Sequence, residues 1–121
     1  MAEGVEGEQL GTMDWHARFT QQARWTEAIR RHLFERIQTE PDQRLLEIGC
    51  GTGAVLSSLI ETKCQLYGLD LDSKFLLQAG QHVASARLIQ GDAHRLPYAE
   101  ASFDIVCCHF LLLWVTHPDL V

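Results

Sequence analysis

The stretch that decides the fold is residues 45–53, LLEIGCGTG, in which a short apolar run ends in three alternating glycines. The apolar run predicts a buried strand, and a helical pattern resumes at Ala54. Glycines between a strand and a helix permit a tight turn and let a ligand approach the backbone closely. The start of the following helix offers free N–H groups and a partial positive charge. This stretch therefore predicts a nucleotide-binding turn between a strand and a helix.

Strand and helix patterns alternate on both sides of this turn. Strands are predicted at 44–48, 64–70, 86–90 and 103–108, and helices at 13–26, from Thr26 to before Pro41, at 54–62, 73–84 and 109–115. Such alternation indicates an α/β fold, in which helices cover the faces of a parallel sheet.

The composition bounds the class of protein. The 121 residues suffice for one domain, with 46% apolar and 21% charged residues. Sixteen acidic against ten basic residues give a net charge of -6, which argues against a nucleic-acid or anionic membrane surface. Residues 1–10 lack the features of a signal peptide, and no apolar run is long enough to span a bilayer. We therefore expect a cytoplasmic protein without nucleic-acid or membrane partners.

Composition shifts along the chain predict three segments. Residues 1–12 read as a flexible acidic tail, 13–40 as a helical cap, and 41–121 as the ligand-binding domain. The cysteines form no C-x-x-C pair and lie at Cys50, Cys64, Cys107 and Cys108. We expect reduced thiols, with neither a metal site nor a disulfide framework.

Glu47 discriminates between ligands for the glycine turn. Gly49, Gly51 and Ala54 also satisfy the dinucleotide pattern G-x-G-x-x-G/A, with Asp70 near the ribose-binding position. A carboxylate at this strand end would repel a pyrophosphate, whereas it favours the sulfonium and ammonium groups of S-adenosylmethionine. Glu47 therefore favours S-adenosylmethionine, and the alternative is an acid that only caps the amides of the turn.

Four motifs in order resemble those of class I S-adenosylmethionine-dependent methyltransferases. Residues 45–53 resemble the first motif, and residues 66–70 resemble the second strand, whose terminal acid holds the ribose hydroxyls. Residues 91–93, with Leu96-Pro97 after them, resemble the third-strand motif, whose acid accepts from the adenine amino group. Residues 103–106 resemble the fourth strand. The resemblance implies a Rossmann-like parallel sheet of strand order 3-2-1-4.

The resemblance also implies site residues. Those expected to bind the cofactor are Glu47, Gly49, Cys50, Gly51, Gly53, Asp70, Leu71, Asp92, Ala93 and Cys108. His109 is the one candidate general base, and the alternative is a histidine that caps the next helix or touches the cofactor through its backbone. Asp104 is expected to fix the entry to the fourth strand, and Asp72 or Ser73 to cap a helix. Trp15, Phe19 and Trp25 form either a lid over the methionine end or ordinary aromatic packing.

The segment after the fourth strand bears on the methyl acceptor. It reads Cys108-His109-Phe110-Leu111, not the Asn/Asp-Pro-Pro-aromatic sequence of family members that methylate exocyclic amines of DNA bases or glutamine. It also lacks the acid of magnesium-dependent catechol-type enzymes. The chain is most similar to the broad small-molecule group that includes quinone-biosynthesis enzymes, so a small-molecule acceptor is expected.

The chain departs from the family in length. The family has a seven-stranded sheet of order 3-2-1-4-5-7-6, and only four strands are predicted here. The fourth strand would then form an exposed edge that invites self-association. We therefore expect a truncated, cofactor-binding half of a methyltransferase. The alternatives are a non-catalytic half-domain that binds cofactor or a partner and, less favoured, an NAD-binding module.

Overall fold

The computed structural model describes residues 11–121 and contains one four-stranded parallel sheet of order β3-β2-β1-β4. Its elements are α1 (Thr12–Trp25), α2 (Glu27–Ile37), β1 (Arg44–Ile48), α3 (Ala54–Ser58), β2 (Gln65–Asp70), α4 (Ser73–His82), β3 (Arg87–Gln90) and β4 (Ile105–Cys108). Single 3₁₀ turns lie at Leu59–Thr62, Leu111–Leu113 and Pro118–Leu120. The predicted α/β fold and strand order are confirmed. Most of the predicted acidic tail, residues 1–10, lies outside the described residues, and α1 begins at Thr12.

The central strand β1 sets the position of the site. Its residues Leu45 to Ile48 are all buried, which explains why three of these four residues are apolar. In the parallel register, Ile48 lies beside Leu69 of β2 and Cys108 of β4. The carboxyl ends of these strands therefore meet at one edge of the sheet, where ligands bind in open α/β folds.

The two faces of β1 contact different parts of the core. Leu45 packs with Leu56 and Val83, on the face that α3 and α4 cover. Leu46 and Ile48 pack on the opposite face with Leu69, beside the partly buried Tyr98 and Phe103. The strand is thus fixed from both sides, and the turn that follows it starts from a rigid support.

Two acids have the structural roles that the sequence predicts. The Arg44 N–H donates to Asp104 Oδ2 at 2.8 Å, which joins the start of β1 to the segment before β4. The Asp72 carboxylate caps α4 by accepting from the N–H groups of Lys74 at 2.8 Å and Phe75 at 3.3 Å. Both predictions are confirmed, and neither acid is needed to explain ligand binding.

The prediction of a helix at residues 109–115 is wrong. Phe110 adopts a left-handed conformation with φ of 59°, and only one 3₁₀ turn follows it, at Leu111–Leu113. This backbone reversal brings the Leu111 side chain so close to Gly49 that a Cβ there would lie 2.8 Å from Leu111 Cδ1. Contact with the glycine turn therefore replaces helical propagation.

β4 lies at one edge of the described sheet, and Val106 within it is 54% exposed. Self-association through this edge stays a prediction, as does the division of the chain at residue 41. No helix within residues 11–121 combines the length and the apolar character that a membrane crossing requires. The expected cellular location stays a prediction.

Candidate functional site

A cavity of about 1060 Å³ opens at the carboxyl ends of the strands. The predicted site residues among those that line it are Glu47, Gly49, Cys50, Gly51, Asp70, Leu71, Asp92, Ala93 and His109. Trp15 and Phe19 of α1 also line the cavity, as does Leu111 after β4. Residues from three strand ends, the first helix and the last segment therefore converge on one space.

The glycine turn is held against β2 by its backbone. The N–H groups of Gly49 and Cys50 both donate to the Leu69 carbonyl, at 2.7 and 3.0 Å. Gly49, Gly51 and Gly53 have φ of 75°, 54° and 89°, conformations that side-chain-bearing residues rarely adopt. This turn needs glycine because its backbone is left-handed, and ligand approach is an additional use of the same residues.

Gly53 and Cys108 do not line the cavity. A Cβ at Gly53 would lie 3.3 Å from the backbone of Ala79, so this glycine permits close approach of α4. Cys108 is exposed on the edge strand β4, whereas Cys50 is buried beside the turn. Cofactor contact by Gly53 and Cys108 stays a prediction. Within residues 11–121, no three His, Cys, Asp or Glu side chains are grouped so that they could hold a metal ion.

Glu47 is the one charged residue that is buried within β1. Its side chain is 2% exposed, and its Oε1 atom has no hydrogen-bond partner among the described residues. Burial raises the pKa of Glu47 to about 8, although the charge of Arg30 opposes this shift. A buried carboxyl without a partner is costly, and a cation beside it would recover part of that cost. This orphaned group in the cavity wall fits the cationic end of S-adenosylmethionine.

Asp70 is tied to the glycine turn. Its Oδ2 accepts from the Gly51 N–H at 2.8 Å, and its Oδ1 accepts from the Asp72 N–H at 2.9 Å. Burial raises its pKa, and the bonds from these backbone amides act in the opposite direction. The carboxylate is thus held in one orientation at the end of β2, in the place expected for the ribose-binding acid.

Asp92 follows β3 and is exposed. Its Oδ1 accepts from the His94 backbone N–H at 2.9 Å and lies 2.6 Å from His94 Nδ1. The backbone bond from His94 lowers the pKa of Asp92, with the side-chain bond adding to it. His94 Nε2 in turn accepts from the His117 N–H at 3.2 Å. This linkage is absent from the sequence-based predictions, although the spacing of Asp92 and His94 is typical of a local side-chain turn.

His109 lies in the cavity wall, but one of its ring nitrogens is engaged. Nε2 is hydrogen bonded to Thr26 Oγ1, and Arg30 donates to the same oxygen at 3.0 Å. Burial lowers the pKa of His109, and the nearby Arg30 charge lowers it further. Because the expected helix is absent, His109 caps no helix; it joins β4 to the corner between α1 and α2.

The aromatic residues of the first helix divide into two groups. Phe19 packs edge-on against Phe75 of α4 at a centroid distance of 5.4 Å, and a Cβ at Gly51 would lie 3.2 Å from its ring. Trp25 is 67% exposed and lies outside the cavity wall. His16 Nδ1 is hydrogen bonded to the buried Thr52 Oγ1 at 2.6 Å, a link that the sequence argument also missed. α1 is therefore anchored directly on the glycine turn.

Comparison with known proteins identifies the family. A profile described as a methyltransferase domain matches residues 46–121. The chain belongs to this methyltransferase family, whose methyl donor is S-adenosylmethionine. Residues 46–121 include the glycine turn and the three acids at the strand ends, so the match covers the predicted motifs.

Two curated relatives illustrate the similarity. The malonyl-[acyl-carrier protein] O-methyltransferase of Enterobacter lignolyticus is 29% identical over 82 residues, which is 68% of this chain and 33% of that protein. The demethylmenaquinone methyltransferase of Staphylococcus epidermidis is 32% identical over 87 residues, 67% of this chain and 36% of that protein. The chain thus spans about a third of the length of these relatives.

Solved structures agree on the fold. A chain from the complex between the Haloferax volcanii Trm112 methyltransferase activator and a methyltransferase matches with a TM-score of 0.74 and 21% identity, over 90% of this chain and 51% of its own. The Haemonchus contortus phosphoethanolamine N-methyltransferase, solved with phosphoethanolamine and S-adenosylhomocysteine, matches with a TM-score of 0.51 and 26% identity, over 55% and 15%. The predicted family, Rossmann-like fold and cofactor are confirmed.

Proposed function

We propose that the chain binds S-adenosylmethionine across this cavity and that its whole protein transfers the methyl group to a small-molecule acceptor. The observation that carries the proposal is the buried carboxyl of Glu47, which lines the cavity and leaves Oε1 without a partner. A cationic ligand satisfies such a group, whereas the anionic pyrophosphate of a dinucleotide does not.

Each acid takes a different part of the ligand. Glu47 faces the ammonium and sulfonium groups, Asp70 accepts from the ribose hydroxyls, and Asp92 accepts from the adenine amino group. The left-handed backbone of Gly49 and Gly51 lets the ligand approach the turn. The carboxylates of Asp70 and Asp92 are both already oriented by hydrogen bonds from backbone amides.

The chemistry of the bound donor requires little proton transfer. When bound, the donor would supply an activated methyl group: an electron pair of the acceptor would form the new bond to the methyl carbon, the carbon–sulfur bond would break, and its electrons would pass to sulfur to leave a neutral thioether. An acceptor atom that carries hydrogen would release it as a proton. The residues of this chain hold donor and acceptor in line and exclude water, a task suited to Trp15, Phe19 and Leu111 in the cavity wall. His109, whose pKa is lowered by burial, is the candidate base where the acceptor must lose a proton.

The acceptor class is supported by the names of the relatives. One relative is named a malonyl-[acyl-carrier protein] O-methyltransferase, and another is named a demethylmenaquinone methyltransferase. The segment after β4 carries no Pro-Pro-aromatic sequence and instead places Leu111 on the glycine turn. These observations favour a small-molecule acceptor over a DNA base or a glutamine side chain.

Isothermal titration calorimetry with S-adenosylhomocysteine and with NAD tests cofactor binding. We expect S-adenosylhomocysteine to bind and NAD not to bind. Asp70→Ala should weaken binding of S-adenosylhomocysteine at least tenfold, because it removes a charged acceptor of two hydroxyls. Asp42→Ala, an exposed acid outside the cavity, is the matched control. Tight NAD binding without a response to S-adenosylhomocysteine would contradict the proposal.

A radiolabelled methyl-transfer assay with malonyl-[acyl-carrier protein] and the reduced, hydroquinone form of demethylmenaquinone as acceptors tests the reaction separately. Transfer to either acceptor supports the proposed enzyme. Cofactor binding without transfer to any acceptor, in the whole protein, would favour the non-catalytic alternative.

A further inference from the structure

A histidine links the predicted adenine-binding acid to the far wall of the cavity. His94 Nδ1 lies 2.6 Å from Asp92 Oδ1, and His94 Nε2 accepts the backbone N–H of His117 at 3.2 Å. The segment just before His117, residues 114–116, lines the cavity together with Asp92 and His94. One imidazole ring therefore joins two walls that are 23 residues apart in sequence.

The two bonds define the protonation state of the ring. The backbone N–H of His117 can only donate, so Nε2 must be the unprotonated acceptor. Nδ1 then carries the hydrogen and donates it to the Asp92 carboxylate. The linkage thus requires a neutral imidazole with its hydrogen on Nδ1.

The same bonds divide the Asp92 carboxylate into two unlike oxygens. Oδ1 accepts from both the backbone and the ring of His94, whereas Oδ2 accepts no hydrogen bond from any residue in the described range 11–121. An exposed aspartate without such bonds would rotate freely, and a ligand would have to order it on binding. A carboxylate held in place before the ligand arrives binds more tightly.

We propose that His94 is the positioning residue for adenine recognition: it fixes the Asp92 carboxylate so that Oδ2 accepts from the 6-amino group of the base. This inference rests on the proposed function, which assigns adenine to Asp92. His94 acts through Asp92 and need not touch the ligand. Its bond to the His117 backbone N–H fixes the ring, and the ring in turn fixes the orientation of the Asp92 carboxylate.

The test compares two ligands that differ only at position 6 of the base. One is S-adenosylhomocysteine, and the other is its analogue with purine in place of adenine, which lacks the 6-amino group. We expect the unmodified chain to prefer S-adenosylhomocysteine roughly tenfold, the usual effect of one hydrogen bond to a charged group. His94→Ala should reduce this preference severalfold by weakening S-adenosylhomocysteine binding, with little change for the purine analogue.

Further variants isolate the positioning role. Asp92→Ala should abolish the preference, and adding His94→Ala to it should cause no further loss, because both changes act on one contact. His94→Asn retains an N–H near the position of Nδ1, so we expect it to restore most of the preference without the bond to His117. His32→Ala, an exposed histidine outside the cavity, is the matched control.

The outcomes separate the inference from the proposed function. Equal weakening of both ligands by His94→Ala would overturn the inference and leave His94 a structural link between the walls. If Asp92→Ala keeps the preference, both the assignment of adenine to Asp92 and the inference are wrong, although cofactor binding stands. If the unmodified chain binds neither ligand, the proposed function fails as well. His94→Phe, which keeps a ring and removes both nitrogen atoms, supplies the result should His94→Ala not fold.

Discussion

Glu47 and Asp92 line the same cavity, one from inside β1 and the other from the loop after β3, yet their surroundings are opposite. Glu47 is 2% exposed, its Oε1 has no partner within residues 11–121, and burial raises its pKa to about 8. Asp92 is exposed and twice hydrogen bonded by His94, and these bonds lower its pKa. The cavity therefore has a buried end with an unsatisfied acid and an exposed end with an oriented one.

The difference indicates two modes of recognition. In the buried end, charge is poorly screened, so a carboxyl discriminates strongly between cationic and anionic groups. At the exposed end, water screens charge, and only the direction of a hydrogen bond can discriminate. The two acids suit the two ends of S-adenosylmethionine, whose amino-acid part is charged and whose adenine is neutral.

The largest expected effect is on the stability of the unliganded chain. A carboxyl whose pKa is 4.5 when unfolded and about 8 when folded binds more protons in the folded state, so the free energy of unfolding falls as the pH rises between these values. We expect Glu47→Gln to remove this loss, which amounts at its steepest to about 1.4 kcal/mol for each pH unit. Urea unfolding at pH 5, 6.5 and 8 measures the difference between the two chains.

Asp92→Asn is the control for that comparison. Because the pKa of Asp92 is lowered from 3.8, its contribution is present above this value and is lost only in more acidic solution. The difference in the free energy of unfolding between Asp92→Asn and the unmodified chain should therefore stay constant from pH 5 to 8. Parallel pH profiles for the unmodified chain and Glu47→Gln would show that Glu47 ionises normally.

The next effect is on affinity for S-adenosylhomocysteine. Loss of a charged hydrogen bond in a buried site costs about 2 kcal/mol, so Glu47→Gln should raise Kd roughly thirtyfold at pH 7.5. Asp92→Asn keeps an amide oxygen that can still accept a hydrogen bond, and we expect only a severalfold increase. Calorimetry of both variants measures the ratio of their Kd values. Equal losses of affinity would remove the distinction between the two ends of the cavity.

The elements that form this comparison could be predicted from the sequence to different extents. β1 is predicted with the bounds that the structure has, because all residues from Leu45 to Ile48 are buried, three of the four are apolar, and the glycine turn follows directly. Glu47, Asp70 and Asp92 could be placed together because parallel strands end at one edge of a sheet. Their placement depends only on strand order and motif position.

Contacts between distant segments could not be predicted in this way. His94 contacts His117 across 23 residues, and His16 contacts Thr52 across 36, without any local pattern that signals either pair. The apolar run after β4 predicts a helix, because periodicity does not distinguish one turn from several. The left-handed Phe110 and the contact between Leu111 and Gly49 depend on packing against the glycine turn.

The last expected effect concerns protons released on binding. If the ligand's ammonium group pairs with an ionised Glu47, the carboxyl must lose its proton when the ligand binds, since burial raises its pKa to about 8. Kd for S-adenosylhomocysteine should then fall about tenfold, or 1.4 kcal/mol, for each pH unit between 6 and 7.5, where the ligand's own amino group keeps its proton. Calorimetry in phosphate and in imidazole buffers at pH 6.5 should detect release of about one proton.

Glu47→Gln should bind weakly with no such release, whereas Asp92→Asn should release the proton as the unmodified chain does. This pairing of variants decides which end of the cavity senses the charge of the ligand. Release that persists in Glu47→Gln would have to come from a group other than Glu47. In that case the acid within β1 would not be the group that couples ligand binding to pH.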